Sequence, residues 1–105
     1  MTYIILMIIK VPGYDYFIEL SKTYELEFHP NITDTICCDD NYCEIKDIHI
    51  DLDTNTYWMR VEKNDDFYVV ESKKEAVECL ISAIEEHQPY DWNLNNYNLE
   101  DWHPK

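Results

Sequence analysis

The chain has 105 residues, 46% of them hydrophobic, and sets 22 Asp and Glu against 8 Lys and Arg, a formal charge of −14. That length gives room for one domain and one modest core, and the apolar residues interleaved with the acids exclude a disordered acidic tail. A single glycine, Gly13, excludes Gly-rich phosphate loops and dinucleotide fingerprints, which need several glycines for close backbone approach.

Thr2 to Lys10 reads as a strand with a near-continuous apolar run, suited to the middle of a sheet. The run is far shorter than the roughly 20 residues a membrane helix needs. It also lacks the cationic start and small-residue cleavage site of a signal peptide, so a cytoplasmic setting without a membrane is expected. Pro12-Gly13 signals a turn. Tyr14 to Leu20 and Tyr24 to Phe28 then read as strands joined by a turn at Ser21-Lys22-Thr23, with a helix over Asp15 to Thr23 as the competing reading. Residues 30–46 look irregular. Asp47 to Asp53 alternates, Asp53 to Thr56 turns, Tyr57 to Glu62 is a strand, Lys63 to Asp66 turns, and Phe67 to Glu71 is a further strand of the meander.

Ser72-Lys73-Lys74-Glu75 is a capping box, in which hydroxyl and carboxylate satisfy the free N–H groups of a starting helix. Ala76, Val77, Leu80, Ile81 and Ile84 repeat at helical spacing and predict a helix over Lys73–His87, closed before Pro89. The expected fold is a single α+β domain spanning 1–105. A mainly antiparallel sheet of about five strands carries one amphipathic helix on a face, followed by an irregular acidic-aromatic C-terminal tail.

Three constellations carry chemistry. Cys37, Cys38 and Cys43, with His29 and His49 on either side, are the candidate metal ligands. Thiolates on a turn with one imidazole could hold a structural zinc ion, and free, partly buried thiols are the competing reading, with a disulfide as the third. Cys79 falls on the helix and is expected to serve packing. Asp51, Asp53, Asn55 and Glu62 match positions one, three, five and twelve of a calcium loop. Thr56 stands where that loop needs Gly, and strands flank it, so a strand-turn-strand with solvated acids is expected. His87 after Glu85-Glu86, the pair Asp39-Asp40 and the few serines give no catalytic arrangement, so the chain is expected not to be an enzyme.

The third constellation is the acidic, aromatic surface. Asp65, Asp66, Glu85, Glu86, Asp91, Glu100 and Asp101 are candidate partner-binding carboxylates, because such groups can imitate phosphates and pair with Arg and Lys of a nucleic-acid channel. Tyr90, Trp92, Tyr97 and Trp102 are candidate anchors, since aromatic side chains bury much area at low entropy cost. The competing reading is a solvated face whose aromatics pack back onto the core. The expected partner is a basic nucleic-acid-binding protein rather than nucleic acid itself, met by a monomer or small homo-oligomer.

The stretch Asn64-Asp65-Asp66-Phe67-Tyr68-Val69-Val70-Glu71-Ser72, with Cys79-Leu80-Ile81-Ser82-Ala83 and Tyr90-Asp91-Trp92, resembles small phage anti-CRISPR proteins that inhibit type II effector nucleases. Those are short acidic α/β proteins in which a hairpin leads through a polar cap into a helix. The N-terminal half and the cysteines lie outside this likeness. The resemblance implies a phage-encoded DNA mimic acting in a bacterial host, which blocks target DNA binding or loading on an RNA-guided nuclease. Two rivals are an immunity protein or antitoxin that neutralises a nuclease toxin, and a zinc-stabilised interaction adaptor.

Overall fold

β1 (Thr2–Lys10) lies in the interior of the sheet because its β-branched run leaves apolar side chains on both sides of a pleat. The computed structural model describes residues 2–32, 34–39, 41–63 and 70–99. In it Tyr3, Ile5, Met7 and Ile9 point to one face and are buried, while Ile4, Leu6 and Ile8 point to the other and are half-buried. β2 (Phe17–Glu25), β3 (Thr35–Cys38), β4 (Asn41–Asp51), β5 (Thr56–Lys63) and β6 (Asn93–Asn98) join β1 in a six-stranded sheet of order β3-β4-β5-β1-β2-β6. Every neighbouring pair is antiparallel except β1 and β5, which run parallel. With α1 (Lys73–His87) the fold is α+β on a mixed, mostly antiparallel sheet.

Several expected elements differ. Phe17–Glu25 is one continuous strand, with neither a turn at Ser21-Lys22-Thr23 nor a helix over Asp15 to Thr23. The polar tripeptide misleads because Ser21 and Thr23 sit opposite Leu6 and Ile4 on a sheet face that needs no apolar residue, while Lys22 has a carboxylate partner. Residues 30–46, expected to be irregular, contain β3 and the start of β4. A bulge between Ile45 and Asp47 lets both Ile45 and Ile48, three residues apart, lie on the face of Val61 and Met59. That break in alternation hides the first half of β4. The tail holds an edge strand, β6, where an irregular segment was expected; Leu94 and Tyr97 pair with Leu20 and Ile18 across a second bulge. The expected turn and most of the strand between Lys63 and Glu71 fall outside the described residues.

α1 forms where its cap and stripe require. The Ser72 hydroxyl accepts from the Glu75 N–H at 3.2 Å, and the Glu75 carboxylate accepts from the Glu71 N–H at 2.9 Å. Ala76, Leu80, Ala83, Ile84 and His87 are its buried side, and the first four lie in one apolar cluster with Tyr3, Ile5, Met7, Ile18, Leu20 and Met59. Each fully buried large aliphatic side chain there contributes about 1.5–3 kcal/mol. The segment after β2 covers another part of the same face. The Tyr3 hydroxyl is hydrogen-bonded to His29 Nδ1 at 2.7 Å, and its ring stacks on Tyr57 with ring centres 5.1 Å apart. No described helix is long and apolar enough to cross a membrane.

Candidate functional site

The covered face ends in a polar clamp centred on Asp39, the residue after β3. Asp39 takes a positive φ of 51°, which Asp tolerates better than most residues and which turns its carboxylate back over the sheet. Its Oδ2 accepts from Lys22 Nζ at 2.7 Å, Trp92 Nε1 at 2.9 Å and the Tyr24 hydroxyl at 3.0 Å. The Lys22 ammonium also lies 5.1 Å from the centre of the Tyr24 ring and 5.9 Å from that of Trp92. The Lys22 hydrogen bond, helped by those from Trp92 and Tyr24 and opposed by burial, holds the Asp39 carboxyl below the usual range. Burial first, then the neighbouring Cys38 and Asp39, pushes the Tyr24 phenol well above its ordinary value. This geometry joins β2, the β3–β4 turn and the chain after α1. A carboxylate oxygen with three donors on it is a structural anchor, not a free base.

The cysteines divide between the two faces of the β3–β4 hairpin. Successive residues of β3 face opposite ways, so Cys37 is exposed while Cys38 is buried, and Cys43 is buried across the hairpin. His29 is engaged with Tyr3, and His49 is exposed on β4 opposite Trp58. Among the described residues no group of three or more His, Cys, Asp or Glu is placed to hold a metal ion. Burial, the charge on Asp39 and the proximity of Cys37 push the Cys38 thiol up to about 11, so it carries little thiolate at neutral pH. The calcium-like spacing folds as a β-hairpin turn: Asp51 Oδ1 accepts from the N–H groups of Asp53 and Thr54 at 3.0 and 3.3 Å, and Glu62 is 3.7 Å from Lys10.

The expected partner-binding residues divide. Glu85, Glu86, Tyr90 and Asp91 are exposed together at the C-terminal end of α1. Trp92 is 2% exposed and belongs to the core and the clamp, which corrects its expected place on the surface; the indole N–H has a partner inside the fold, so the ring can be buried. Tyr97 is likewise half-buried against the core. His87, beside Trp92, is bonded through Nδ1 to the Ala83 carbonyl at 2.7 Å, and its Nε2 has no partner among the described residues. Asp65, Asp66, Glu100, Asp101 and Trp102 fall outside the described residues.

The opposite face of the sheet carries a second constellation that sequence patterning did not single out. Ile4, Leu6 and Ile8 of β1 form its apolar middle, and Trp58 and Arg60 of β5 stand beside Ile4 and Leu6 in register. None of the five belongs to the apolar cluster that includes α1. On β4, Asp47 faces Arg60 and His49 faces Trp58. A cleft of about 420 Å³ opens there, lined by Leu6, Asp47, His49, Asp51, Trp58 and Arg60. The available signal was the alternation within β5, where Tyr57, Met59 and Val61 take the core side and Trp58, Arg60 and Glu62 the other. A second, more apolar cavity of about 300 Å³ lies under the segment that leads into β3, with Ile5, Leu26, Ile36 and Met59 in its walls.

Comparison with protein-family models, with curated proteins and with solved structures finds no match to this chain.

Proposed function

We propose that the chain is a stoichiometric protein inhibitor that sets its carboxylates against the basic site of a nucleic-acid-binding enzyme, with an RNA-guided type II nuclease as the target. The observation that carries this reading is the charge of −14 on a folded chain of 105 residues. Such a surplus opposes folding through self-repulsion and favours association with a positive surface. No Asp or Glu among the described residues is buried, so these carboxylates are at least partly presented to solvent. Of the eight basic side chains, Lys10, Lys22 and Lys46 already lie within 4 Å of acids of this chain, at 3.7, 2.7 and 3.4 Å. A basic channel built for phosphates offers Arg and Lys at close spacing, and charge-assisted hydrogen bonds to carboxylates replace those to phosphate oxygens. Electrostatic attraction raises the association rate, and salt lowers it. The likeness of residues 64–92 to anti-CRISPR proteins supports the choice of target.

The test is target cleavage by a purified, guide-loaded type II nuclease with increasing amounts of the chain. Cleavage is expected to stop near one equivalent at low salt and to recover as salt is added. Unchanged cleavage under excess inhibitor at low salt would remove the nuclease from the proposal. Protection against a nuclease toxin in the same format would keep the charge argument and replace the target.

A further inference from the structure

We propose that the sheet face opposite α1 is the docking surface, and that it takes an arginine- and lysine-bearing segment of the protein partner with Trp58 as the anchor; this rests on the inhibitor reading above. The strand register puts an apolar centre between two acidic margins. The centre is Ile4, Leu6, Ile8 and Trp58. One margin is β4, with Glu44, Asp47 and Asp51; the other is β2, with Glu19 and Glu25 paired opposite Ile8 and Thr2. The two margins are three strand spacings apart, about 14 Å. An apolar centre with a polar rim is the anatomy of a protein interface.

Charge decides the occupant. The face also carries Glu62, and its bases are Lys10, already 3.7 Å from Glu62, and Arg60, which shares the cleft with Asp47 and Asp51, while Lys46 reaches the margin's Glu44 at 3.4 Å. A second copy of this chain would bring acidic margin against acidic margin, so self-association is disfavoured. A guanidinium fits the cleft chemically: its plane stacks on the Trp58 indole while its N–H donors reach the carboxylates of Asp47 or Asp51. Two margin carboxylates accept hydrogen bonds from neutral donors on neighbouring strands. Asn95 Nδ2 donates to Glu19 at 2.5 Å, and the Thr2 hydroxyl donates to Glu25 at 2.5 Å.

The experiment titrates isotope-labelled full-length chain with a nona-arginine peptide at low salt and follows amide shifts. Shifts are expected on β1, β4 and β5 around the cleft. The double variant Asp47→Lys/Asp51→Lys should weaken peptide binding about ten-fold or more, whereas Glu85→Lys/Glu86→Lys, with the same change in net charge, should cost less than about three-fold. Trp58→Ala should weaken binding about five-fold, with Trp58→Phe intermediate and far-UV spectra confirming that each variant is folded. Equal losses in the two double variants, or shifts gathered at the helix end, would overturn the face while leaving the charge reading intact. Failure of the unmodified chain to bind the peptide at low salt would take both down. A dimer in sedimentation that Trp58→Ala abolishes would assign the face to self-association instead.

Discussion

Asp39→Asn tests how much of the fold depends on one carboxylate. The substitution keeps a side chain that tolerates positive φ and one oxygen that can accept, but it removes the charge on which Lys22, Trp92 and Tyr24 converge. The Lys22 and Asp39 side chains are only 19% and 23% exposed, so their ion pair is less screened than an exposed one and contributes about 1 kcal/mol, the upper end for surface pairs. The hydrogen bonds from Trp92 and Tyr24 contribute about 1 kcal/mol each, and one of them can survive on the amide oxygen. The expected loss is therefore about 1–2 kcal/mol for Asn. It rises to about 3 kcal/mol for Asp39→Ala, which leaves the indole N–H of a buried Trp92 without a partner. Urea unfolding followed by tryptophan fluorescence gives both values. The pH dependence has a definite sign. Because the folded carboxyl titrates below its ordinary value, its contribution is complete above about pH 4 and disappears as pH falls through the lower, folded value. The stability gap between the parent and Asp39→Asn should thus be widest at neutral pH and close in acid. A gap of zero at neutral pH, or one that grows in acid, would refute the clamp.

Three further outcomes follow from the same geometry. Ser72→Ala removes the hydroxyl that accepts from Glu75 and should cost about 1 kcal/mol in urea unfolding, with helix content retained. Iodoacetamide at pH 8 should label the exposed Cys37 first, while the buried Cys38, titrating near 11 and about a thousandth thiolate at that pH, should react only on unfolding. Mass spectrometry of labelled peptides distinguishes them. Salt should raise the melting temperature of the free chain, because it screens the self-repulsion of a −14 charge; a fall would mean that attractive pairs dominate.

The parts of the fold that were legible in sequence are those where one local rule acts alone. The apolar run of β1 and the turn at Pro12-Gly13 needed no tertiary information. The helix Lys73–His87 was equally legible, with a capping box at one end and Pro89 beyond the other. What escaped was written in pairings between distant residues. Ser21-Lys22-Thr23 looks like a turn until β1 supplies a face that α1 does not cover for two of its members and Asp39 supplies a partner for the third. Two bulges shift the parity of β4 and β6 by one residue, which erases alternation in the places where those strands begin or pair. Trp92 reads as a surface aromatic among acids, and only a carboxylate 53 positions earlier in the chain makes its burial affordable. The candidate docking face was hidden by β1 itself, since a run apolar on both sides implies cover on both, and α1 lies on one.

The most direct measurement is displacement of labelled target duplex from a guide-loaded type II nuclease by the unmodified chain, read as fluorescence anisotropy across a salt series from about 50 to 300 mM. The duplex should be released near one equivalent at low salt, with apparent affinity for the chain falling steadily as salt rises. Retention of the duplex throughout, even under a large excess of the chain at the lowest salt, would contradict the claim that its negative surface competes for a nucleic-acid site.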